Sequence, residues 1–434
     1  MTHKMDRRNA LKITAGVGMG YWLGSCARIA PAQSPNEKLN LAFVGIGGRG
    51  RANLDGLAGE NIVALCDVDD QRAGDAYEVY PTARKYKDFR KMLTDLENQI
   101  DGVVVSTPDH THFHTALMAL TMGKHLYCEK PLAHSVSEVR TLTDLASRKG
   151  VATQLGIQRH AQSNVHRVVE LIQGGAIGKV TECHCWVDDD RGMPAATGPS
   201  SQIFAGLDWD LWLGPARDRP YSVDYVPYNW RFWWDFGTGE TGNWGCHILD
   251  LPFWALDLKY PTHVSATGPA RDPQRTPTSM TTRFIFPASG NREEVALHWS
   301  HAKNGPDIVR QHNLSAENNN TLFIGSAGML LCGFDQLKLY PEEHFSTYQP
   351  PGQSIPDSPG FYQEWTQACK GGRQTTCHFD YSGPLTETVL LGNVAYRAGS
   401  EFTWDATHLK TRGNASAQPY VHSEFRNGWD PVSV

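Results

Sequence analysis

Residues 39–50, LNLAFVGIGGRG, decide the fold. The apolar run from Leu39 to Val44 predicts a buried strand. Gly45-Ile46-Gly47-Gly48-Arg49-Gly50 predicts a glycine-rich turn, and Arg51-Ala52-Asn53-Leu54 the opening of a helix. Strand, glycine turn and helix in that order are the context a dinucleotide fingerprint requires. Gly45 would make the tight turn, Gly47 would let the backbone approach a pyrophosphate, and Gly50 would let the helix pack on the strand. Gly48 and Arg49 complete the phosphate turn, where the helix N-terminus supplies amide donors and positive potential.

A second strand, Ile62 to Cys66, ends at Asp67. That is close to the ~20-residue spacing at which a carboxylate accepts hydrogen bonds from the adenosine ribose. Asp69 and Asp70 follow and would repel a 2′-phosphate, so the expected cofactor is NAD rather than NADP.

Strands and helices keep alternating through residues 36–160, which argues a parallel, doubly wound sheet. Helical spacing recurs from Asp88 to Glu97. A buried strand from Asp101 to Ser106 ends at Thr107-Pro108, and a helix follows from His110. In that helix His110 and His114 share a face while His112 points elsewhere, so HTHFH reads as a helix-start cluster and not a metal site. The strand His125–Cys128 delivers Glu129-Lys130-Pro131 at its carboxyl end, the edge where such sheets bind ligands.

The chain of 434 residues is long enough for two domains. Its net charge of −6 and lack of a basic run argue against a nucleic-acid partner. Nothing after residue 35 is apolar for long enough to span a bilayer. Nine cysteines are scattered. The Cys183-His184-Cys185 pattern lacks a second pair at ligand spacing and reads as alternating residues of one strand, so no metal is expected.

Residues 1–32 read as an address. Arg7-Arg8-Asn9-Ala10-Leu11-Lys12 resembles a twin-arginine export signal, and a weakly apolar stretch from Ile13 to Leu23 follows. Leu23-Gly24-Ser25-Cys26 resembles a lipoprotein cleavage box with Cys26 as the lipid-bearing residue; Ala30-Pro31-Ala32 is a competing peptidase site. The expectation is a periplasmic or otherwise exported protein, membrane-anchored or free. The twin-arginine route carries folded proteins, so a tightly held cofactor regenerated within each cycle is expected with it.

Residues 161–434 form the second domain of this reading. A helix is expected over 165–173, then a strand over 180–187 that opens a large mixed sheet. Alternation returns at 262–268, 280–287, 293–300, 321–325 and 329–332, with helices at 359–370 and 384–398 and an extended tail from about 404. The expected fold is therefore α/β: an N-terminal Rossmann dinucleotide-binding domain and a C-terminal α+β domain with a large mixed open sheet.

Seven of the thirteen tryptophans fall between residues 207 and 254. Aromatic faces suit the C–H faces of sugar rings. Trp230, Trp233 and Trp234 are the candidates for stacking, Trp244 a further substrate contact, and Arg231 and Asp235 candidates for hydroxyl groups. Ordinary packing accounts for Trp209, Trp212 and Trp254.

GIGGRG (45–50), CDVD (66–69), STPDHTH (106–112) and EKP (129–131), in this order and spacing, resemble the glucose–fructose oxidoreductase/inositol dehydrogenase (Gfo/Idh/MocA) family over roughly residues 38 to 430. The resemblance implies that Lys130 reaches both the nicotinamide ribose and the substrate hydroxyl. It places Thr107, Pro108, Asp109, His112 and Glu129 along the cofactor groove and Gln158 near the nicotinamide. It also implies a homodimer or tetramer built on the second domain.

By the same resemblance, Gly242 to Asp250 (GNWGCHILD) align with the family's catalytic helix, D-x-G-x-H-x-x-D. His247 matches the histidine that takes the hydroxyl proton as hydride leaves for NAD, work that suits an imidazole. Asn243 stands where the family has aspartate, on the same helical face as His247. It can orient His247 by a hydrogen bond but cannot stabilise its charged form, which implies a lower His247 pKa.

The function implied is an exported NAD-dependent oxidoreductase acting on a secondary hydroxyl of a sugar or glycoside. An alternative is an NAD-dependent glycoside hydrolase that works by transient oxidation, elimination, hydration and re-reduction. A third is a cofactor-bound sugar-binding protein without turnover.

Overall fold

The computed structural model describes residues 38–431 except 197, 201, 303 and 304. The expected export signal, Cys26 and the Ala30-Pro31-Ala32 site lie outside the described residues.

The first half alternates as expected. It runs β1 (Asn40–Val44), α1 (Arg49–Gly56), β2 (Asn61–Cys66), α2 (Asp70–Val79), β3 (Arg84–Tyr86), α3 (Phe89–Asp95), β4 (Gly102–Val105), α4 (Asp109–Thr121), β5 (His125–Glu129), α5 (Val136–Lys149) and β6 (Thr153–Gly156). The strands form one parallel sheet in the order β3-β2-β1-β4-β5-β6. Helices cover both faces, which is why β1 and β4 are continuous apolar runs: Leu41, Ala42, Phe43 and Val103 to Val105 are fully buried. The chain reverses its direction of winding between β1 and β4, and a crevice opens beyond the carboxyl ends of those strands.

The second half begins with α6 (Ser163–Gln173), β7 (Val180–Val187), α7 (Trp209–Leu213), α8 (Gly239–Ile248), α9 (Asp250–Ala255), β8 (His263–Thr267), β9 (Met280–Phe286) and β10 (Val295–His301). It continues through α10 (Asp307–Gln311), β11 (Thr321–Gly325), β12 (Gly328–Cys332), β13 (Leu337–Tyr340), α11 (Phe361–Cys369), α12 (Phe379–Ala398), β14 (Phe402–Asp405) and β15 (Lys410–Arg412). Its nine strands make one mixed sheet, β13-β12-β11-β7-β10-β9-β8-β14-β15. Cys183 and Cys185 of β7, Phe284 and Phe286 of β9 and Leu297 and Trp299 of β10 are buried in the core, period two along each strand. The eight cysteines among the described residues are all buried and unpaired with one another.

Helix α12 joins the halves, packing on α5 of the first domain and on α8 and β8 of the second. Two stretches expected in the second domain also pack on the first. Trp365 of α11 is fully buried and lies against Leu41's neighbour Gly102, with its Nε1 3.4 Å from the Ala152 carbonyl. Phe425 and Trp429 close around His114 of α4, with ring centroids 4.7 and 5.7 Å away. Short strands β3 and β13 and helices α7, α9 and α10 carry too few residues to show a period, and the sequence pattern did not mark them. No described helix is long and apolar enough to cross a membrane.

Candidate active site

A cavity of about 590 Å³ runs along the carboxyl edge of the first sheet and continues to α8. One end is the glycine turn. Gly45 has φ +78°, and a Cβ there would lie 2.8 Å from the Ser106 carbonyl carbon; a Cβ on Gly50 would lie 1.9 Å from the Gly45 oxygen. Only hydrogen fits at either position, so β1, β4 and the start of α1 close around a bare backbone cradle. Gly47, Gly48 and Arg49 line it. Asp67, at the end of β2, accepts hydrogen bonds from the amides of Ile46 (2.8 Å) and Asp69 (3.0 Å) and faces the same cavity. Burial raises its pKa, with those amides opposing. Asp69 spends its carboxylate on capping α2, accepting from the amides of Gln71 and Arg72. Thr107, Pro108 and Asp109 line the next stretch, and the Thr107 hydroxyl is buried with no protein partner among the described residues. A side-chain-free cradle at a helix start, a carboxylate beyond β2 and an orphaned hydroxyl between them fit a dinucleotide laid across the sheet edge.

Glu129 organises the middle of the site. One of its oxygens receives Arg49 Nε (3.0 Å), Asn53 Nδ2 (3.0 Å), the Tyr127 hydroxyl (3.2 Å) and Gln158 Nε2 (3.0 Å). Tyr362, from α11, ties in by donating to Asn53 Oδ1 at 2.8 Å. These bonds fix α1, β5, the turn after β6 and α11 relative to one another, and so fix the residue that follows. Lys130 Nζ donates to the main-chain oxygen of Asn243 (2.7 Å) and to its side-chain Oδ1 (3.1 Å). Burial lowers the Lys130 pKa, while Asp109 and Glu129 hold it up.

His112 stands behind the groove wall and does not line the cavity. Its ring nitrogens face the carbonyl oxygens of Thr107 and Pro131, each at 2.8 Å, locking the turn after β4 to the turn after β5. His110 likewise sits between the carbonyls of Phe236 and Trp212, and burial pushes its pKa down to about 3. His114 bonds the Trp429 carbonyl at 2.7 Å. The three histidines are spent on backbone carbonyls.

Helix α8 brings Asn243 and His247 to the far end of the cavity. The expected bond from Asn243 to His247 is not formed. Asn243 gives its Oδ1 to Lys130 and donates its Nδ2 to Glu240 Oε2 at 3.0 Å, so both ends of the amide are engaged elsewhere. Neither ring nitrogen of His247 has a protein partner among the described residues, and Nδ1 is buried. Its pKa lies well below the usual histidine value because of burial first, then the positive charges of Lys130, Arg159 and Arg49. A neutral imidazole therefore stands beside the buried Lys130 side chain.

Comparison with known proteins bears on this arrangement. A family model described as "Oxidoreductase family, NAD-binding Rossmann fold" matches residues 39–157, and its companion, "Oxidoreductase family, C-terminal alpha/beta domain", matches 187–290. Together they span just over half of the chain.

The chain belongs to the Gfo/Idh/MocA oxidoreductase family.

An uncharacterized oxidoreductase of Rhizobium meliloti is 34% identical over 157 residues, which are 36% of this chain and 46% of that protein. An inositol 2-dehydrogenase of Salmonella paratyphi B is 28% identical over 152 residues, 34% of this chain and 45% of its own length. The chain thus spans about half the length of the curated relatives it matches. The WlbA dehydrogenase of Bordetella pertussis, solved with NADH and UDP-GlcNAcA, shares the fold, with a TM-score of 0.61, 15% identity and coverage of 85% of this chain and 99% of that one. As in the rest of the Gfo/Idh/MocA family, the first domain is an NAD-binding Rossmann domain.

Within this Gfo/Idh/MocA site the tryptophan-rich segment divides sharply. Trp230 lines the cavity, and the Arg231 guanidinium, whose pKa burial lowers, lies 4.3 Å from its ring centre. Trp233 and Trp234 do not line it. Trp233 is packed edge-on against Tyr225, and Trp234 sits under Arg397, with 3% and 5% of their surface exposed. Neither face is open to a sugar, which corrects the expectation for both. Trp244 is half-buried, its Nε1 bonded to Asp189 at 2.7 Å, and also stays outside the lining. Asp235 is paired with Arg219 at 2.6 Å, away from the cavity. Gln158 does line it.

Two residues of consequence carried no signal of their own in the sequence. Glu240 is buried beneath Asn243 and pairs with Arg191, which also binds Asp189 at 2.9 Å. Burial raises the Glu240 pKa, with Asn243 and Arg191 opposing. The i, i+3 spacing of Glu240 and Asn243 on one helix was the available clue.

Proposed function

We propose that the protein is an NAD-dependent oxidoreductase acting on a secondary hydroxyl of a sugar, a cyclic polyol or a glycoside. The observation that carries the reading is the meeting of Lys130 and His247 at the inner end of the cavity that begins at the glycine cradle. The inositol 2-dehydrogenase relationship and the sugar nucleotide in the WlbA complex support the substrate class.

The glycine turn and the start of α1 would hold the pyrophosphate, Asp67 the adenosine ribose, and Thr107, Gln158 and Lys130 the nicotinamide end. A bound NAD supplies the acceptor for hydride from the carbon that bears the reacting hydroxyl. The chain's own part is the proton and the charge. His247, neutral because it is buried among cations, takes the hydroxyl proton on a ring nitrogen with no protein partner. Lys130, which lines the cavity and is held by Asn243 with two bonds, would stabilise the developing alkoxide with its remaining N–H. Trp230 and Arg231 offer an apolar face and a donor to the rest of the ring.

The proposal extends to export by the twin-arginine route, with anchoring at Cys26 and a retained cofactor. The Arg7-Arg8 and Leu23–Cys26 motifs support it. The test is to purify the exported form without added nucleotide, release any bound NAD(H), and incubate the protein with cyclic polyols and glycosides. Ketosugar formed with reduced nicotinamide supports the oxidoreductase. Released aglycone without net reduction moves the reading to the redox hydrolase, and binding without any turnover overturns both.

A further inference from the structure

Away from the cavity, the central joint of the nine-stranded sheet carries a second cluster of chemistry-bearing side chains. β7 and β10 are parallel neighbours, whereas the other described pairs of this sheet are antiparallel. In that joint His298 is the direct partner of His184, and Glu182 lies one pleat before His184 on the same face. Cys183 and Cys185 turn into the core, so the cysteines that made this segment look metal-like are not part of the cluster.

We propose that Glu182, His184 and His298 bind one divalent transition-metal ion of the zinc, nickel or copper class. One carboxylate oxygen of Glu182 lies 2.8 Å from His184 Nε2 and 3.4 Å from His298 Nε2. The donor atoms all fall within 4.8 Å of one another, the spread that surrounds a single ion. The imidazole rings are parallel, with centres 4.5 Å apart and planes 8° apart, so both present the same edge to the carboxylate. All three side chains are half-buried and reachable from solvent.

Two imidazoles and one carboxylate form a set that zinc uses widely, leaving further positions for water. The surrounding charges choose the class of ion. Arg283, cross-strand partner of His298, and His312 near His184 add no negative charge. A hard cation such as calcium, which needs several oxygen ligands, is therefore disfavoured. A bound ion would cross-link β7 to β10, the parallel and intrinsically weaker pairing of the sheet.

The test uses the full chain, stripped with a chelator and dialysed, then titrated with Zn²⁺ against a chromophoric competitor. One equivalent should bind and raise the melting temperature. Loss of a group that only hydrogen-bonds a metal ligand costs about 10–100-fold in metal affinity, so removal of a ligand itself, in His298→Ala or Glu182→Gln, should weaken binding by at least about tenfold. Both variants should keep the melting temperature of the metal-free protein and its NAD binding, which separates ligand loss from misfolding. The proposal is overturned if the His184→Ala/His298→Ala protein binds Zn²⁺ as the parent does, or if the parent does not compete with the chelator at all.

Discussion

Asn243 holds Lys130 and leaves His247 alone. Its Oδ1 and main-chain oxygen take two bonds from Lys130 Nζ at 3.1 and 2.7 Å, while its Nδ2 rests on Glu240 at 3.0 Å. The carboxylate that the family pattern puts at position 243 is thus supplied one helical turn earlier, through an amide that transmits position but no charge. Lys130 keeps its geometry, and His247 gains no anion to raise its pKa.

Asn243→Asp should reverse that second effect. A carboxylate beside Lys130 would offset the positive field that helps to depress His247. His247 acts unprotonated, so activity is lost as pH falls through its pKa in the folded enzyme, which lies below the usual ~6.5. The acid limb of kcat/KM should therefore move up toward ~6.5 in the variant. A pH–rate profile that coincides with the parent's would sink this account of the asparagine.

Lys130→Met removes the ammonium while keeping much of the volume. It should lower kcat by about 100-fold or more, in the range that removal of one donor to a developing oxyanion produces. Nucleotide binding, measured by fluorescence of the reduced cofactor, should change far less, because the glycine cradle and Asp67 would hold the adenosine end without the Lys130 side chain. Equal loss of both would show that Lys130 serves chiefly to bind the cofactor.

What the sequence made legible was local. The strand, glycine turn and helix of residues 39–54, the Asp67 spacing and Glu129-Lys130-Pro131 at a strand end each depend on neighbours within a few positions, and each lies where the pattern put it. The relationships that adjust the chemistry are not local. Tyr362 reaches Asn53 across 309 residues, and His298 meets His184 only because β7 and β10 pair in parallel. Tryptophan faces were illegible for a different reason. Trp230, Trp233 and Trp234 are near neighbours with the same side chain, and only the packing around Tyr225 and Arg397 decides which one sees the cavity.

Gly50→Ala tests the cradle. The new methyl would meet the Gly45 carbonyl oxygen at 1.9 Å, a contact with backbone that cannot swing aside. Overpacking of this kind costs on the order of 1–3 kcal/mol. The turn would have to open, so NAD affinity should fall together with the melting temperature. Gly59→Ala is the control, since a Cβ there meets nothing within 4 Å. Similar affinities for the two variants would contradict the assignment of the phosphate turn.

Arg140→Ala tests how α12 is fastened to α5. The Arg140 guanidinium grips both oxygens of Glu387 at 3.0 and 2.8 Å, and Trp404 Nε1 adds a bond at 3.1 Å. Glu387 is buried, and burial outweighs those partners, pushing its pKa up to about 7. A carboxyl raised on folding keeps a proton that the unfolded chain has lost, so its contribution to stability falls as pH rises from about 4.3, its unfolded value, to about 7. Removing Arg140 leaves the carboxylate buried without its cation, a loss of roughly 3–5 kcal/mol when the group is charged. Protonation relieves that loss, and the Glu387 pKa should climb further in the variant. The melting-temperature deficit of Arg140→Ala should therefore be small in mildly acidic buffer and should widen steadily through neutrality into alkaline pH. A deficit that stays constant across that range would mean that the lost packing of the arginine stem, and not the ion pair, accounts for the destabilisation.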